Sequence, residues 1–313
     1  MENAKELLEQ CYQRVKPNVH RTPILTSRLI DTMAGCELYF KCENFQRGGA
    51  YKIRGATNAI LQLTNEQQDK GVVTHSSGNF AQALALSAKR LGVKAYIVMP
   101  TSAPQVKKDA VLEYGGEIIE CAPTLEDRNA AAKKVVASTG ATFIHPSNDT
   151  NVILGQGTAC MELLQERPDL DVIIVPVGGG GLLAGTALAA YYFGNGCVVV
   201  GGEPQEADDA FRSLISGKIE TNKTTNTIAD GLKTQLGDKN FPLIQKYVDG
   251  IVRVSEKEIV DAMRLVWERM KIIIEPSSAV ALAAVFSDNV RFEHLKVGII
   301  ISGGNVDLKN LPF

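Results

Sequence analysis

Residues 171–185 read DVIIVPVGGGGLLAG, an apolar run followed by four consecutive glycines. The run Asp171–Val177 predicts a strand buried on both faces, and the residues after the glycines predict a helix of small side chains. Four glycines let backbone N–H groups turn toward an anion, and the N-terminus of the helix adds a positive dipole. The stretch therefore predicts a phosphate-binding loop; a tight strand-to-helix turn without a ligand is the alternative.

Apolar segments rich in Val and Ile recur along the chain between amphipathic segments. The candidate strands are Glu37–Glu43, Val72–Ser76, Ala95–Met99, Glu117–Cys121, Asp171–Val177, Val198–Glu203 and Val297–Ser302. Helical patterns lie between them, such as Ala81–Leu91, which Gly92 ends, and a helix that Ser255 and Glu258 open as a capping box. This alternation predicts an α/β fold with mostly parallel sheets.

Length and composition limit the classes of protein. A chain of 313 residues is long for one domain and suggests two lobes. The 33 basic and 35 acidic residues give a net charge of −2, so no basic surplus indicates a nucleic-acid partner. The six cysteines form no C-x-x-C pair, which favours reduced thiols over a zinc site or disulfides. With neither a signal peptide nor a membrane-spanning stretch in the sequence, a cytoplasmic enzyme is expected.

The kind of phosphate is open on local grounds. Gly179, Gly181 and Ala184 satisfy the dinucleotide-binding fingerprint in its final-alanine variant. Glu203 ends the next strand about twenty residues further on, where an acid that binds a ribose would fall. A nicotinamide-dependent oxidoreductase is therefore one hypothesis.

Two other segments favour a different cofactor. Residues 50–55 read AYKIRG, and Lys52 stands between Tyr51 and Ile53. A lysine amine can form an imine with an aldehyde, and apolar neighbours favour its neutral form, although a solvated surface lysine is the alternative. Residues 302–307 read SGGNVD and follow an apolar strand, which places Ser302 where α/β folds bind ligands, or in an ordinary turn.

The order of these segments resembles that of fold-type II pyridoxal-phosphate (PLP) enzymes. They are AYKIRG at 50–55, SSGN at 76–79, the glycine loop and SGGN at 302–305. Within that group the chain is most similar to eukaryotic serine racemases, with TIADG at 227–231, WERMK at 267–271 and IEP at 274–276. The resemblance implies two open, mostly parallel twisted sheets flanked by helices. It also implies a large PLP-binding domain, 1–66 and 149–313, and a small domain, 67–148.

The resemblance also implies the cofactor contacts. Lys52 would form the imine with PLP and act as the base on one face of the substrate, and Asn79 would bind the ring hydroxyl. The phosphate would be held by backbone amides of Gly178, Gly179, Gly180, Gly181 and Leu182. Ser302 would pair with the ring nitrogen, where many PLP enzymes use an acid. A hydroxyl cannot keep this nitrogen protonated, which favours proton return or loss of a β-leaving group over transamination.

The substrate contacts follow from the same resemblance. Racemisation needs proton donors and acceptors on both faces of the α-carbon, and Ser77 would face Lys52 across the substrate. The residues implied to contact the substrate are Ser76, Ser77, Asn79, Gln82, Arg128 and Thr234. Phe80 departs from the family, which usually has histidine there, so substrate preference and the ratio of racemase to dehydratase activity stay open.

Further ligands are implied as well. Glu203, the Ala207 carbonyl and Asp209 match the pattern by which serine racemases bind Mg²⁺, Ca²⁺ or Mn²⁺; an acidic helix N-terminus without metal is the alternative. The positions implied to contact ATP, an allosteric ligand at a dimer interface, are Lys107, Tyr114 and Asn305, although Arg47-Gly48 departs from the usual pair there. The four histidines, His20, His75, His145 and His294, show no ligand spacing and are predicted to be structural.

The resemblance therefore implies a homodimeric PLP-dependent serine racemase that also dehydrates serine to pyruvate and ammonia. A threonine or 3-hydroxyaspartate dehydratase of the same fold is the first alternative. The nicotinamide-dependent oxidoreductase is a distant alternative, and a PLP carrier without catalysis is a third. No nucleic acid or membrane partner is expected.

Overall fold

The computed structural model describes residues 3–313, which contain two separate β-sheets. The strands are β1 (Ile24–Leu25), β2 (Glu37–Cys42), β3 (Val72–His75), β4 (Ala95–Pro100), β5 (Glu117–Cys121), β6 (Thr142–Phe143), β7 (Val172–Pro176), β8 (Val198–Pro204), β9 (Gly250–Val254) and β10 (Lys296–Ile301). The six-stranded sheet has the order β1-β2-β10-β7-β8-β9, and the four-stranded sheet has the order β5-β4-β3-β6. Every strand pair is parallel except β1 with β2.

Helices pack around both sheets. They are α1 (Ala4–Val15), α2 (Arg28–Ala34), α3 (Lys52–Leu61), α4 (Asn65–Lys70), α5 (Asn79–Leu91), α6 (Gln105–Glu113), α7 (Leu125–Thr139), α8 (Thr150–Glu166), α9 (Gly181–Phe193), α10 (Asp209–Ser216), α11 (Phe241–Tyr247), α12 (Glu256–Met270), α13 (Pro276–Ser287) and α14 (Asn289–Phe292). On β7, Ile173 packs into one hydrophobic cluster and Ile174 into another, so this central strand is buried on both faces. Across residues 3–313, no helix has the length and apolar character needed to span a bilayer.

The predicted fold class is confirmed. All seven candidate strands are present, with ends within one residue of those expected. The predicted helix at 81–91 begins two residues earlier, at Asn79, and ends at Gly92, whose φ of 71° is left-handed. Ser255 and Glu258 form the predicted capping box. The sequence did not indicate β1, β6 or β9, and the domain boundaries at 66/67 and 148/149 stay a prediction.

Three helices approach each other at glycines. A Cβ atom built on Gly155 of α8 would lie 2.5 Å from the Cα atom of Gly55 of α3. A Cβ atom on Gly185 of α9 would lie 2.3 Å from the Ile153 carbonyl oxygen of α8. Both contacts are with backbone, which cannot move aside as a flexible side chain can. Glycine at these positions therefore lets α3, α8 and α9 stack closely.

A fully buried group of four charged side chains fixes α3 to its neighbours. Arg54 Nε donates to Glu43 Oε2 at 2.7 Å, and Arg54 Nη1 donates to Glu162 Oε1 at 2.9 Å. Lys41 Nζ lies 2.8 Å from Glu162 Oε2. None of the four is more than 1% exposed. Burial by itself would raise the pKa of Glu43, but Arg54 and Lys41 hold that pKa below its ordinary value. These four residues, the buried quartet, have balanced charges.

Replacement of Arg54 by Met should strongly destabilise the protein, because two buried carboxylates would be left with one cation. We expect the free energy of unfolding to fall by about 3–5 kcal/mol. Arg21→Met is the matched control, since Arg21 pairs with Glu166 at an exposed site, where the expected loss is about 0–1 kcal/mol. Urea unfolding of both variants measures the difference. Equal, small losses would show that the quartet does not hold α3 in place.

Candidate active site

Lys52 is the first residue of α3 and is half-buried. The backbone N–H of the preceding residue, Tyr51, donates to the Ser302 carbonyl at 3.0 Å, which anchors this turn to the end of β10. Lys52 Nζ lies 3.4 Å from the Pro146 carbonyl oxygen. It also lies 4.9 Å from the ring centroid of Tyr51 and 5.9 Å from that of Phe80. The amine is thus held in a partly apolar, aromatic environment.

The glycine loop connects β7 to α9 and contacts Ser147, the residue after Pro146. A Cβ atom on Gly179 would lie 2.4 Å from Ser147 Oγ and 3.0 Å from Thr234 Oγ1. Asn240 Nδ2 donates to the Gly179 carbonyl at 2.8 Å and to the Ser147 carbonyl at 3.2 Å, so it ties the loop to this turn. Because Ser147 directly follows Pro146, the chain that contacts the lysine amine also contacts the loop. The first amides of a helix have no partner within it, so the start of α9 presents N–H donors.

Ser302 lies at the carboxyl end of β10 and is 3% exposed. Its Oγ lies 2.9 Å from Ser278 Oγ. Ser278 Oγ also accepts from the Gly303 N–H at 2.7 Å and lies 2.7 Å from the Gly303 carbonyl oxygen. A serine hydroxyl has one proton, so Ser278 can donate to Ser302 or to the Gly303 carbonyl, but not to both. Ser278 therefore controls whether the Ser302 proton is free for another acceptor.

The SSGN segment joins β3 to α5. Ser76 Oγ accepts from the Gly78 N–H at 3.4 Å, and Ser77 is half-buried. Asn79, the first residue of α5, donates through Nδ2 to the Glu275 carboxylate at 2.8 and 3.0 Å. Asn305 Nδ2 donates in turn to Asn79 Oδ1 at 3.0 Å. The structure therefore links Asn79 to the loop after β10 that carries Ser302. Gln82 is buried one helical turn further on.

Two histidines, His75 and His145, lie next to the SSGN segment, with their ring centroids 5.6 Å apart. Burial lowers the pKa of His145 to about 4, helped by His75 and the charge of Lys52. His145 Nδ1 accepts from the backbone N–H groups of Ser147 and Asn148 at 3.2 and 2.8 Å. Neutral His145 thus organises the turn that contacts Lys52. Burial also lowers the pKa of His75, and the charge of Arg128 on α7 lowers it further.

The three predicted metal ligands lie at the end of β8. Glu203 accepts from the N–H groups of Ala210 and Phe211 at 2.9 and 2.8 Å, so it caps α10. Asp209 Oδ2 accepts from the Leu236 N–H at 3.0 Å, whereas the buried Oδ1 has no hydrogen-bond partner within residues 3–313. Burial raises the pKa of Glu203, and it raises that of Asp209 to about 6. In the described part of the chain, no group of three or more His, Cys, Asp or Glu side chains could hold a metal ion. A metal site here would therefore be built from only two carboxylates, Glu203 and Asp209, and the Ala207 carbonyl.

The residues predicted to bind ATP make other contacts. Lys107 of α6 forms an ion pair with Asp230. Asn305 Nδ2 donates to the Gly48 carbonyl as well as to Asn79. Tyr114 directly follows α6 and packs against the hydrophobic cluster that contains Ile173.

Sequence reasoning missed four residues that shape the site, which are Ser147, Asn240, Glu275 and Ser278. Pro276 at the first position of α13 marks a helix start in the sequence, and Glu275 directly precedes it. That signal predicts a helix but not a contact with Asn79, which is 196 residues away. Nothing in the sequence pointed to Asn240.

The side chains and amides present fit PLP. The Lys52 amine can react with an aldehyde, the first amides of α9 suit a phosphate, and the buried Ser302 hydroxyl suits a ring nitrogen. Asn79 has an N–H beyond the one that it gives to Glu275.

Comparisons with known proteins agree with this donor set. A family model described as "Pyridoxal-phosphate dependent enzyme" matches residues 15–303. The serine racemase of Arabidopsis thaliana is 48% identical over 97% of this chain and 93% of its own length. The β-hydroxyaspartate dehydratase of Paracoccus denitrificans is 46% identical over 96% of each chain. The solved structure of maize serine racemase superposes with a TM-score of 0.95 at 48% identity, covering 97% of this chain and 94% of the maize chain. The chain belongs to the family of pyridoxal-phosphate-dependent enzymes.

Proposed function

We propose that this protein interconverts the enantiomers of serine and also eliminates water from serine. The observation that carries the proposal is the contact of Lys52 Nζ with Pro146, whose neighbour Ser147 lies against the glycine loop. An amine and a phosphate-binding loop are thereby held at one site, in a chain similar to serine racemases over nearly its whole length. The similarity to β-hydroxyaspartate dehydratase supports the elimination of a β-hydroxyl group.

Two side chains would move protons at the substrate. PLP, when bound, withdraws electrons from the α-carbon of an amino acid and so makes its proton acidic. Lys52 would take this proton on one face, and Ser77 would exchange a proton on the opposite face. When Ser77 returns the proton, the enantiomer forms. When the β-hydroxyl instead leaves with the proton that Lys52 has taken, water is lost, and hydrolysis of the dehydrated product gives pyruvate and ammonia.

The remaining polar groups would bind and orient. The substrate carboxylate would be held by amides at the start of α5 together with Ser76, Ser77, Asn79 and Gln82. Arg128 and Thr234 would contact the substrate from α7 and from beside the glycine loop. The backbone amides of residues 178–182 would hold the phosphate. Asn79 would bind the ring hydroxyl, and Ser302 would bind the ring nitrogen.

A 3-hydroxyaspartate or threonine dehydratase is the second candidate. The charge of Arg128, which acts on His75 next to the SSGN segment, favours it, because a guanidinium can pair with a second carboxylate. Phe80 also bears on substrate preference, because it places an apolar ring near the lysine amine where relatives usually have histidine. The oxidoreductase hypothesis is not retained, because the family uses PLP and because Glu203 caps α10. The carrier hypothesis is not retained either, because Ser77 has no role in carriage.

We further propose that Glu203, the Ala207 carbonyl and Asp209 bind Mg²⁺, or Ca²⁺ or Mn²⁺ in its place. The buried and unpartnered Asp209 Oδ1 supports a cation there.

The remaining expectations are proposals on the family resemblance. ATP would bind at Lys107, Tyr114 and Asn305, where it would have to displace Asp230 from Lys107. A homodimer is expected on the same resemblance. The six free cysteines suit the reducing cytoplasm. The four-stranded sheet with its helices would be the small domain, 67–148.

Lys52→Ala should lose the covalent link to PLP and both activities. Without the amine, the loss of general acid–base catalysis alone should lower both rates by about 10²–10⁴-fold. Borohydride reduction followed by peptide mapping locates the linked lysine, and pyruvate and D-serine assays measure turnover. Lys70→Ala, on the exposed face of α4, is the control and should behave as wild type. Normal turnover of Lys52→Ala, with PLP linked to another lysine, would refute the assignment.

Ser77→Ala should separate the two reactions. We expect racemisation of L-serine and dehydration of D-serine to fall by about 10²–10⁴-fold, because both need a proton transfer on the Ser77 face. Dehydration of L-serine should persist, because it needs only the Lys52 face. The measurements are D-serine formation and pyruvate from each enantiomer. Ser76→Ala, at a carboxylate-binding position, should lower all three rates together. If Ser77→Ala did the same, Ser77 would be a binding residue.

Removal of the metal should destabilise the protein. At a metal concentration a hundredfold above its Kd, bound metal contributes about 2.7 kcal/mol to the free energy of unfolding. Chelation with EDTA should therefore lower the melting temperature and the activity, and Mg²⁺ should restore both. Asp209→Asn should not respond to either step. A wild-type protein shown to be metal-free, with the same melting temperature and activity before and after Mg²⁺ addition, would rule out the site.

A further inference from the structure

Glu275 is a buried carboxylate whose role the proposed reaction leaves unexplained. It is 4% exposed and directly precedes α13. Both of its oxygens accept from a single nitrogen, Asn79 Nδ2, at 2.8 and 3.0 Å. Its own backbone N–H donates to the Gly303 carbonyl at 3.1 Å, which fixes the carboxylate relative to the loop after β10. The carboxylate is therefore aimed at Asn79 by a rigid backbone.

The Asn79 amide is held from its other end as well. Asn305 Nδ2 donates to Asn79 Oδ1 at 3.0 Å and to the Gly48 carbonyl at 2.8 Å. An ionised carboxylate only accepts hydrogen bonds, so Asn79 must turn its NH₂ group toward Glu275. Its carbonyl then faces the Asn305 donor. These contacts leave Asn79 one orientation, with one N–H to spare.

We propose that Glu275 is a positioning residue that fixes the Asn79 amide and places a negative charge one hydrogen bond away from the PLP-binding contact of Asn79. The inference rests on the proposed contact of Asn79 with the ring hydroxyl. A negative charge here stabilises the protonated, cationic form of the linkage between Lys52 and PLP. Glu275 thereby tunes the proton affinity of the bound cofactor before any substrate arrives.

The charges around Glu275 are few. Burial raises the pKa of Glu275 to about 7, and the hydrogen bond from Asn79 acts in the opposite direction. Asp230, in the turn at 230–232, raises this pKa further, and Lys107 of α6 lowers it. These two residues form an ion pair with each other, so their charges largely offset. Asn79 of α5 and the backbone of Gly303 contribute no charge. In mildly alkaline solution, Glu275 is the negative charge that acts on Asn79.

The test follows the absorbance of the PLP-loaded protein as a function of pH, without substrate. In Glu275→Gln the charge is lost, and the glutamine amide can either donate or accept, so the Asn79 orientation is released as well. We expect the midpoint of the absorbance transition to fall by about one pH unit, a tenfold weaker proton affinity. Glu275→Asp keeps the charge and should recover most of the shift.

Glu258→Gln is the matched control. Glu258 completes the capping box of α12, and glutamine can fill the same place. Its midpoint and its activity should equal those of the wild type. A purely structural role of Glu275 would lower the stability of Glu275→Gln without moving the midpoint, and that result would overturn the proposal. An equal shift in Glu275→Asp and Glu275→Gln would overturn it too, because the charge would not be the cause.

If Glu275→Gln does not retain PLP, Asn305→Ala can still overturn the proposal. This variant removes the second contact of Asn79 but keeps the carboxylate, so the midpoint should stay at the wild-type value. A shift of about one unit would assign the effect to Asn305 and overturn the proposal. Since no substrate is present, a wild-type protein with a normal transition but no serine turnover would refute the proposed function alone.

Discussion

Arg54 lies between the carboxylates of Glu43 and Glu162 in the interior of the protein, with Lys41 completing a set of two cations and two anions. Each of these charges alone would cost several kcal/mol to bury, so the set is tolerable only when all four meet. The members come from β2, the turn after it, α3 and α8. A packing that separates these elements would leave an unpaired charge away from water. Lys52 is two residues before Arg54 in the same helix, so its position follows from the quartet.

Close backbone contacts extend this constraint to the glycine loop. Gly55 meets Gly155 between α3 and α8, and Gly157 meets Gly185 between α8 and α9. Any Cβ atom at these positions would push the helix axes apart and move the start of α9 away from the lysine. The turn at Pro146 and Ser147, held by neutral His145, completes the connection. Ion pairs and glycines therefore act together to place the Lys52 amine and the first amides of α9 around one turn.

The polar groups of the site are supported by residues that come from distant parts of the chain. Asn79 is clamped by Glu275 and Asn305, and Ser302 is paired with Ser278. The supporting residues are largely buried, so their hydrogen bonds are not weakened by competition with water. Such a second layer holds the groups that contact a cofactor in one orientation. In the role proposed for Glu275, it also sets a proton affinity at the site.

Much of this protein could be predicted from local sequence patterns, because those patterns have local physical causes. The apolar runs predicted seven strands, the run of four glycines predicted the turn from β7 into α9, and Ser255 with Glu258 predicted a helix start. The sequence did not predict strands β1 and β6, because a strand of two residues shows no periodicity. It did not predict β9, because this edge strand is only partly buried and lacks a continuous apolar run. The roles proposed for Lys52, Asn79 and Ser302 came from resemblance. Only the tertiary structure decided that Glu275 meets Asn79 and that Arg54 meets Glu162, because contacts between residues far apart in the chain depend on how the helices and sheets pack, which no local pattern records.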